Sequence, residues 1–160
     1  MTAAPPGRIC GVRGVSVEHV LRLPIRLRGI HLGRPVDLIL DKDRRRALGF
    51  EVQCGDDERR FLPFAVAKIE DDELAIPSPL VLLEAGELAF YTKRGSTFRA
   101  IVGSDVVRAR RLLGELEDLR VEPDGTVSSV VFATDQGSEA TDYGDDVKLV
   151  PSGSRVRAAS

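Results

Sequence analysis

Short segments in which apolar and polar residues alternate fill residues 21–76, and they constrain the fold more than any other feature of the chain. A period of two is typical of a strand with one face toward a core and one toward solvent. Strands are predicted over residues 21–28, 35–41, 47–54, 60–64, 66–69 and 73–76. Turn sequences such as DKDRRR and GDDE separate them. Five or six short strands within about 60 residues indicate a small β-barrel or sandwich.

Residues 77–95 have a different character and predict a connector helix. Ser78 is a suitable N-cap, Pro79 suits the first turn, and the sequence KRG that ends at Gly95 is a stop signal. A second β unit is predicted from Phe98 onward, with the turn PDG at residues 123–125. The predicted organisation is an N-terminal tail (1–15), a first β domain (16–77), the connector (78–97), a second β domain (98–151) and a C-terminal tail (152–160).

The two β units are related in sequence. A shift of 81 positions places Gly33 on Gly114, Asp37 on Asp118, Leu38 on Leu119 and Asp43 on Asp124, which gives four identities in eleven positions. One deletion after Gly125 then aligns the following strands. Two copies of one unit of about 60 to 70 residues are therefore predicted. Units this small are marginal alone, so the copies are expected to pack together or to dimerise.

The stretch LGRPVDLILDKDRRRALGFEV, followed by FLPFAVAKIEDDELAI, resembles a PRC-barrel domain between Leu32 and Ile76. The second unit, LLGELEDLRVEPDGTVSSVVF, is similar to the same hairpin but has Thr141-Asp142-Tyr143 where F-x-P is expected. The resemblance implies a mainly β fold of two small PRC-like β-barrels joined by a short helical connector. It also implies an interaction module, since the family has no shared catalytic residues to carry over.

Charge is unevenly distributed along a chain whose net charge is −2. Residues 8–60 contain 12 Lys or Arg against 8 Asp or Glu, whereas residues 115–146 contain 10 acidic residues and one Arg. The opposite fields favour attraction between the halves or a homodimer, and two solvated faces are the alternative. No signal peptide or membrane-spanning run is recognisable, and the two Cys are not spaced for zinc; a cytoplasmic protein with reduced thiols is expected.

Five arginines are the candidate partner-binding residues. Arg44, Arg45 and Arg46 lie at the predicted hairpin tip, and Arg59 and Arg60 follow the next turn. They suit RNA phosphates, although RNA binding usually needs aromatic side chains as well, and the nearby sequence DDE can neutralise them. A solvated hairpin tip is the alternative interpretation.

No catalytic, cofactor or metal site is predicted. Asp41 and Asp43 begin a calcium-loop pattern, but Arg45 and Arg46 occupy the next positions, where a cation would repel the metal. Asp37 is expected to accept hydrogen bonds from a neighbouring turn. His19 and His31 lack nearby partners for nucleophilic catalysis, and no GxSxG motif is present.

The preferred hypothesis is a non-enzymatic adaptor or scaffold in the bacterial cytoplasm that binds another protein of unknown identity. One alternative is an RNA-processing or ribosome-assembly factor, because the PRC-barrel family includes the C-terminal domain of a ribosome maturation factor. A second alternative is a soluble accessory to a magnesium-transporter-type membrane protein. A small hydrolase or ligand-binding enzyme is a weaker third.

Overall fold

A computed structural model describes residues 14–151, which form two mainly antiparallel β-sheets with a few short helices. Strands of the first sheet are β2 (Ile25–Leu27), β3 (Ile30–Leu40), β4 (Ala47–Cys54), β5 (Arg59–Pro63), β6 (Lys68–Ile69), β7 (Leu74–Ala75) and β8 (Ser96–Thr97). Those of the second are β1 (Val15–Ser16), β9 (Asp105–Arg108), β10 (Arg111–Val121), β11 (Val127–Thr134), β12 (Gly137–Asp142) and β13 (Val147–Val150). The helices are α1 (Val17–Val20), α2 (Ala85–Arg94) and α3 (Phe98–Ile101), with 3₁₀ turns at Phe64–Val66 and Pro79–Val81.

Both sheets are open. The first has the strand order β5-β4-β3-β2-β7-β6, with β8 added to β3, and the second has the order β12-β11-β10-β9-β13, with β1 added to β10. The sequence predicted two small β-barrels, and the structure has a mainly β fold in which, among residues 14–151, no pairing joins the two ends of either strand order. In the first sheet the outer edge of β5 is bonded to Leu83 instead, through Phe61 N to Leu83 O (2.9 Å) and Leu83 N to Phe61 O (2.7 Å).

The elements recur at the spacing of the sequence repeat. β3 and β10 have equal lengths and lie 81 positions apart, as do β1 and β8, and α1 and α3. β4 and β11 lie 80 positions apart, because the turn after β3 is one residue longer than the turn after β10. The first turn closes from Asp41 N to Arg46 O and the second from Glu122 N to Thr126 O. The two units therefore have matching backbones that differ by one residue at the hairpin tip.

The units exchange their leading segments. The strand β1, which begins the first unit, pairs with β10 of the second, and β8, which begins the second, pairs with β3 of the first. The registers correspond, since Ser16 faces Arg120 and Thr97 faces Ile39. β1 therefore lies on one side of the predicted boundary at residue 98 and pairs with the sheet on the other side. Residues 1–13 and 152–160 of the predicted tails lie outside the described residues, whereas Val15 belongs to β1.

One hydrophobic core joins the two units. It contains buried residues from both sheets and from α1 and α3, such as Val17, Ile25, Phe98 and Leu116. Phe50 stacks on Phe64 within it, with 5.8 Å between ring centroids. A core shared in this way removes the need for each unit to be stable by itself.

The predicted strand over residues 21–28 is wrong in its first half. Leu21 and Leu23 are buried, but their N–H groups bond back to Val17 O (2.9 Å) and Val20 O (3.0 Å) as α1 ends. Pro24 has no N–H to continue such bonds, and β2 begins directly after it. A period of two among apolar residues thus marks their burial here rather than a strand.

The connector helix is shorter than predicted. Ser78 accepts a hydrogen bond from Leu80 N (3.1 Å), but it starts a 3₁₀ turn that ends at Val81. Three residues separate this turn from α2, which begins at Ala85. The helix ends at Arg94, before Gly95, as the KRG sequence predicted. A Cβ on Gly95 would collide with Leu40 O, so a residue without a side chain is needed where the chain crosses β3.

Candidate functional site

The three arginines of the β3–β4 hairpin tip lie against the second unit. Asp41 shapes this turn, because its Oδ1 accepts hydrogen bonds from Arg45 N (2.8 Å) and Arg46 N (3.3 Å). Arg44 N donates to Asp41 O (2.9 Å). The acidic residue that the sequence offered as a metal ligand is therefore used to order the backbone of the arginine cluster.

Arg45 has the most extensive contacts of the cluster. Its Nη1 donates to Tyr143 O (2.7 Å) and Gly144 O (3.0 Å), and its Nη2 donates to Val147 O (2.9 Å). The guanidinium carbon also lies 3.7 Å from the centroid of the Tyr143 ring. Burial raises the pKa of Tyr143, and the positive charge of Arg45 partly opposes that rise. The planar guanidinium donates to three carbonyls and packs on a ring face, so this side chain stabilises the contact between the two units.

The hairpin tips of the two units also pair through their backbones. Ala47 N donates to Gly125 O (2.7 Å), and Val127 N donates to Arg45 O (2.9 Å). These two bonds are equivalent under the 80-residue relation, so the bridge between Arg46 and Thr126 lies at the centre of the internal symmetry. Arg46 itself is exposed, and its Nη1 donates to Asp124 O (2.8 Å).

Arg59 and Arg60 lie away from that interface, on β5. Arg59 pairs with Glu51 and also donates from Nε to Gln53. Arg60 lies 2.9 Å from Asp56. The hydrogen bond from Glu58 N–H, and after it the hydrogen bond and charge of Arg60, lower the pKa of the Asp56 carboxyl. The structure thus does not bring the five candidate arginines together in one patch. Their role in binding a partner stays a prediction, with the donors of Arg45 already engaged within the chain.

Asp37 and Asp118 hold the exchanged segments. Asp37 Oδ1 accepts hydrogen bonds from Leu38 N (2.9 Å) and from Arg99 N (3.0 Å) in α3. Asp118 Oδ1 accepts them from Leu119 N (2.8 Å) and Glu18 N (3.0 Å), and its Oδ2 accepts one from Ser16 Oγ. A carboxylate at a helix start satisfies N–H groups that have no partner inside the helix. This repeated aspartate is therefore structural.

Other candidates are dispersed. His19 is exposed on α1 and His31 is exposed on β3. Residues 14–151 contain no group of three or more His, Cys, Asp or Glu arranged to hold a metal ion. Cys54 is free and buried, which raises the pKa of its thiol, and Cys10 lies outside the described residues. No helix in the described part of the chain is long and apolar enough to cross a membrane.

Sequence reasoning missed the role of α2. Phe61, Ile39 and Leu88 form a second, smaller hydrophobic cluster in which α2 covers the outer face of the first sheet. The Phe61 and Tyr91 rings stack with 4.4 Å between centroids. A signal was present, because Ile39 interrupts the alternation of β3 with an apolar residue on the face expected to be polar. β12 in the second sheet has no comparable cover among the described residues.

No protein-family model matches the chain, and a search of curated proteins finds no match either.

Proposed function

We propose that the protein is a non-enzymatic adaptor with two PRC-barrel-like units, working in the cytoplasm, and that it binds an extended segment of another protein along β12. The observation that carries this proposal is the edge of the second sheet. Within residues 14–151, β12 pairs with β11 on one side and with no strand on the other. An unpaired edge is a template for a strand from a partner.

The direction of the hydrogen bonds on β12 follows from its pairing. Tyr143 N donates to Ser128 O (3.0 Å), which identifies these two as a hydrogen-bonded pair. Antiparallel pairs alternate between bonded and non-bonded. Ala140, which faces Val131 in the register, therefore belongs to a non-bonded pair, and its N–H and C=O point away from β11.

The first sheet provides an internal precedent. Phe61 faces Glu51 just as Ala140 faces Val131, since β4 and β11 are equivalent. Phe61 uses its outward N–H and C=O for the two bonds to Leu83. In this chain, therefore, the backbone of one residue, Leu83, already pairs with the equivalent edge.

The charge around β12 specifies the partner. Glu139 and Asp142 lie on the strand, and Asp135 and Asp145 lie in the adjoining loops. Asp146 is paired with Arg108 (3.7 Å), which also donates to Thr141 Oγ1 on the strand, so acidic residues outnumber the one arginine. Charged edge strands resist indiscriminate pairing with other sheets, and complementary charge steers association. The proposed partner segment is therefore extended and basic. The same acidity works against RNA at this edge.

The test is a proline on the edge strand. Ala140→Pro removes the outward N–H but is tolerable on an edge, whereas Ala140→Val keeps the N–H and is the matched control. Peptides selected from a random displayed library against the wild-type protein are measured against both variants. We expect basic peptides that bind the wild type and Ala140→Val, with affinity at least about tenfold weaker for Ala140→Pro.

Two results would overturn the proposal. The first is selected peptides that bind Ala140→Pro as well as they bind the wild type. The second is retention of labelled RNA that weakens steeply with salt and is lost in a double variant, Arg59→Glu with Arg60→Glu, because that would favour the ribosome-assembly alternative. Circular dichroism of each variant establishes that loss of binding is not loss of fold.

A further inference from the structure

A cavity of about 590 Å³ lies between the β3–β4 turn, the end of α2, α3 and the end of β13. Its lining includes the hydroxyl groups of Ser96, Thr97 and Ser104, and the small side chain of Ala100 on α3. Among the described lining residues Arg44 is the one with a charge. The volume is within the range of sites that hold small ligands. A groove on the other side of Arg44 contains Lys42, Arg45 and Lys148, but it also contains the carboxylates Asp43 and Asp145. The described lining of the cavity has no carboxylate to compete for the guanidinium, so the cavity is the better candidate.

The guanidinium of Arg44 is incompletely satisfied. Its Nε is buried and has no hydrogen-bond partner among residues 14–151. Its Nη1 reaches Leu149 O at 3.5 Å, which is long for a hydrogen bond. A buried donor without an acceptor is unfavourable. An anion in the cavity would place an opposite charge beside this guanidinium.

Arg44 occupies a backbone position that glycine would suit. Arg44 has φ +60°, a left-handed conformation that favours glycine. Counted from the ends of β3 and β10, which lie 81 positions apart, the matching residue in the second unit is a glycine, Gly125, with φ +94°. The two N–H groups make the same turn bond, to Asp41 O (2.9 Å) and to Glu122 O (2.8 Å). Glycine therefore suits the turn, and the first unit has an arginine in spite of the strain.

We propose that this cavity is a binding site for a small anion bearing a carboxylate or phosphate group. The guanidinium of Arg44 contacts the anionic group, and the hydroxyls of Ser96, Thr97 and Ser104 donate further hydrogen bonds. Arginine suits both groups because its planar fork matches two oxygens at once. The site is separate from the β12 edge, so binding here neither requires nor tests the adaptor function.

The experiment titrates the purified full-length protein with inorganic phosphate and, in a second arm, with citrate, at low ionic strength. Isothermal titration calorimetry measures affinity, and the ¹⁵N spectrum follows the Arg44 Nε–H resonance, which a purely structural role would not shift. We expect saturable one-to-one binding and a shifted Nε–H resonance in at least one arm. The arm that binds more tightly identifies the anionic group.

Three variants separate binding from folding. Arg44→Gly is expected to weaken binding by about tenfold or more while the midpoint of thermal unfolding is unchanged or raised. Ala100→Phe fills the cavity without changing charge and should abolish binding. Arg46→Gln removes a neighbouring charge that does not line the cavity and should retain binding.

The proposal is overturned by the absence of saturable binding in both arms up to about 10 mM. It is also overturned if Arg44→Gly lowers the unfolding midpoint and leaves affinity unchanged, because Arg44 would then serve the fold. Equal weakening in Arg44→Gly and Arg46→Gln would contradict it as well, since it would indicate diffuse attraction to a basic surface.

Discussion

The outer faces of the two sheets differ although their backbones correspond. In the first sheet this face presents Ile39, Leu48 and Phe61, which pack under α2. The equivalent positions in the second sheet are Arg120, Ser128 and Ala140, none of which is fully buried. One backbone plan therefore supports a covered face and a solvated face. Side-chain polarity, rather than strand pairing, determines where the connector helix packs.

The two hairpin tips that meet at the interface between the units also differ in their side chains. Arg45 packs on Tyr143 on one side, whereas Gly125 lies near Phe64 on the other. Beside Gly125 a cavity of about 600 Å³ is lined largely by apolar residues such as Val66 and Ile69. Side-chain hydrogen bonds from Arg45 stabilise the tip of the first unit. Backbone hydrogen bonds and apolar packing stabilise the tip of the second unit, at Gly125. This difference can be tested by making each side resemble the other.

The largest effect is expected from Phe61→Ala, which gives the first sheet the residue found at position 140. Phe61 is 2% exposed and stacks on Tyr91, so its truncation should cost about 3–5 kcal/mol of unfolding free energy and release α2. Urea unfolding and limited proteolysis near α2 measure the two effects. The reverse change, Ala140→Phe, should alter stability by less than about 1 kcal/mol. Similar costs for both changes would mean that the faces are equally covered.

A smaller effect is expected from Arg45→Ala at the interface. The change leaves the carbonyls of Tyr143, Gly144 and Val147 without their donor, which should cost about 2–3 kcal/mol. Arg46→Ala is the control, since this exposed side chain donates to a single carbonyl, and it should cost about 1 kcal/mol or less. Chemical denaturation distinguishes them. An equal loss of unfolding free energy in Arg46→Ala and Arg45→Ala would contradict the stabilising role assigned to Arg45 between the units.

A similar or smaller effect is expected at the repeated glycines. A Cβ on Gly33 would lie 2.5 Å from Gln53 O, and one on Gly114 would be closer still to the equivalent Ala133 O. Each Gly→Ala change should cost about 1–3 kcal/mol, with Gly114 the more sensitive. Gly55→Ala is the control, because no atom lies within 4 Å of its added Cβ. Tolerance of alanine at both repeated glycines would show that the strands can move apart.

The smallest effect concerns the titration of Tyr143. Burial raises its pKa above the ordinary value of about 10, so the folded protein retains the phenol proton more strongly than the unfolded chain. The free energy of unfolding should therefore fall as pH rises above about 10. Phenolate absorbance in a Tyr91→Phe background isolates this group. Arg45→Gln should delay the titration further, because Arg45 lowers the pKa, and an earlier titration would contradict that role.

The sequence pattern predicted those features of the fold that depend on residues close together in the chain. The alternation around Leu38 and Phe50, the turn at Gly125 and the repeat at 81 positions all correspond to elements of the fold. The exchange of β1 and β8 was not predictable in this way, because two-residue strands have no detectable period. Their pairing depends on contacts between distant parts of the chain.

The candidate site was predictable in composition but not in arrangement. The sequence predicts an arginine cluster at a hairpin tip, and the structure places these arginines at the tip of the β3–β4 hairpin. It does not indicate that Arg45 would donate a hydrogen bond to the carbonyl of Tyr143, which lies 98 residues further along the chain. It also gives no warning that Arg44 is in a left-handed conformation, since glycine usually marks such positions.

The exchange of leading segments has a consequence for synthesis on the ribosome. Ser16 and Asp118, which hold β1 and α1 in place, are 102 residues apart. At translation rates of about 5–20 residues per second, the first-made segment waits roughly 5–20 s for its binding site to be made. During that interval Val17 and Val20 lack their native neighbours on β10. Nascent chains of this protein therefore expose these two apolar side chains until β10 has been made.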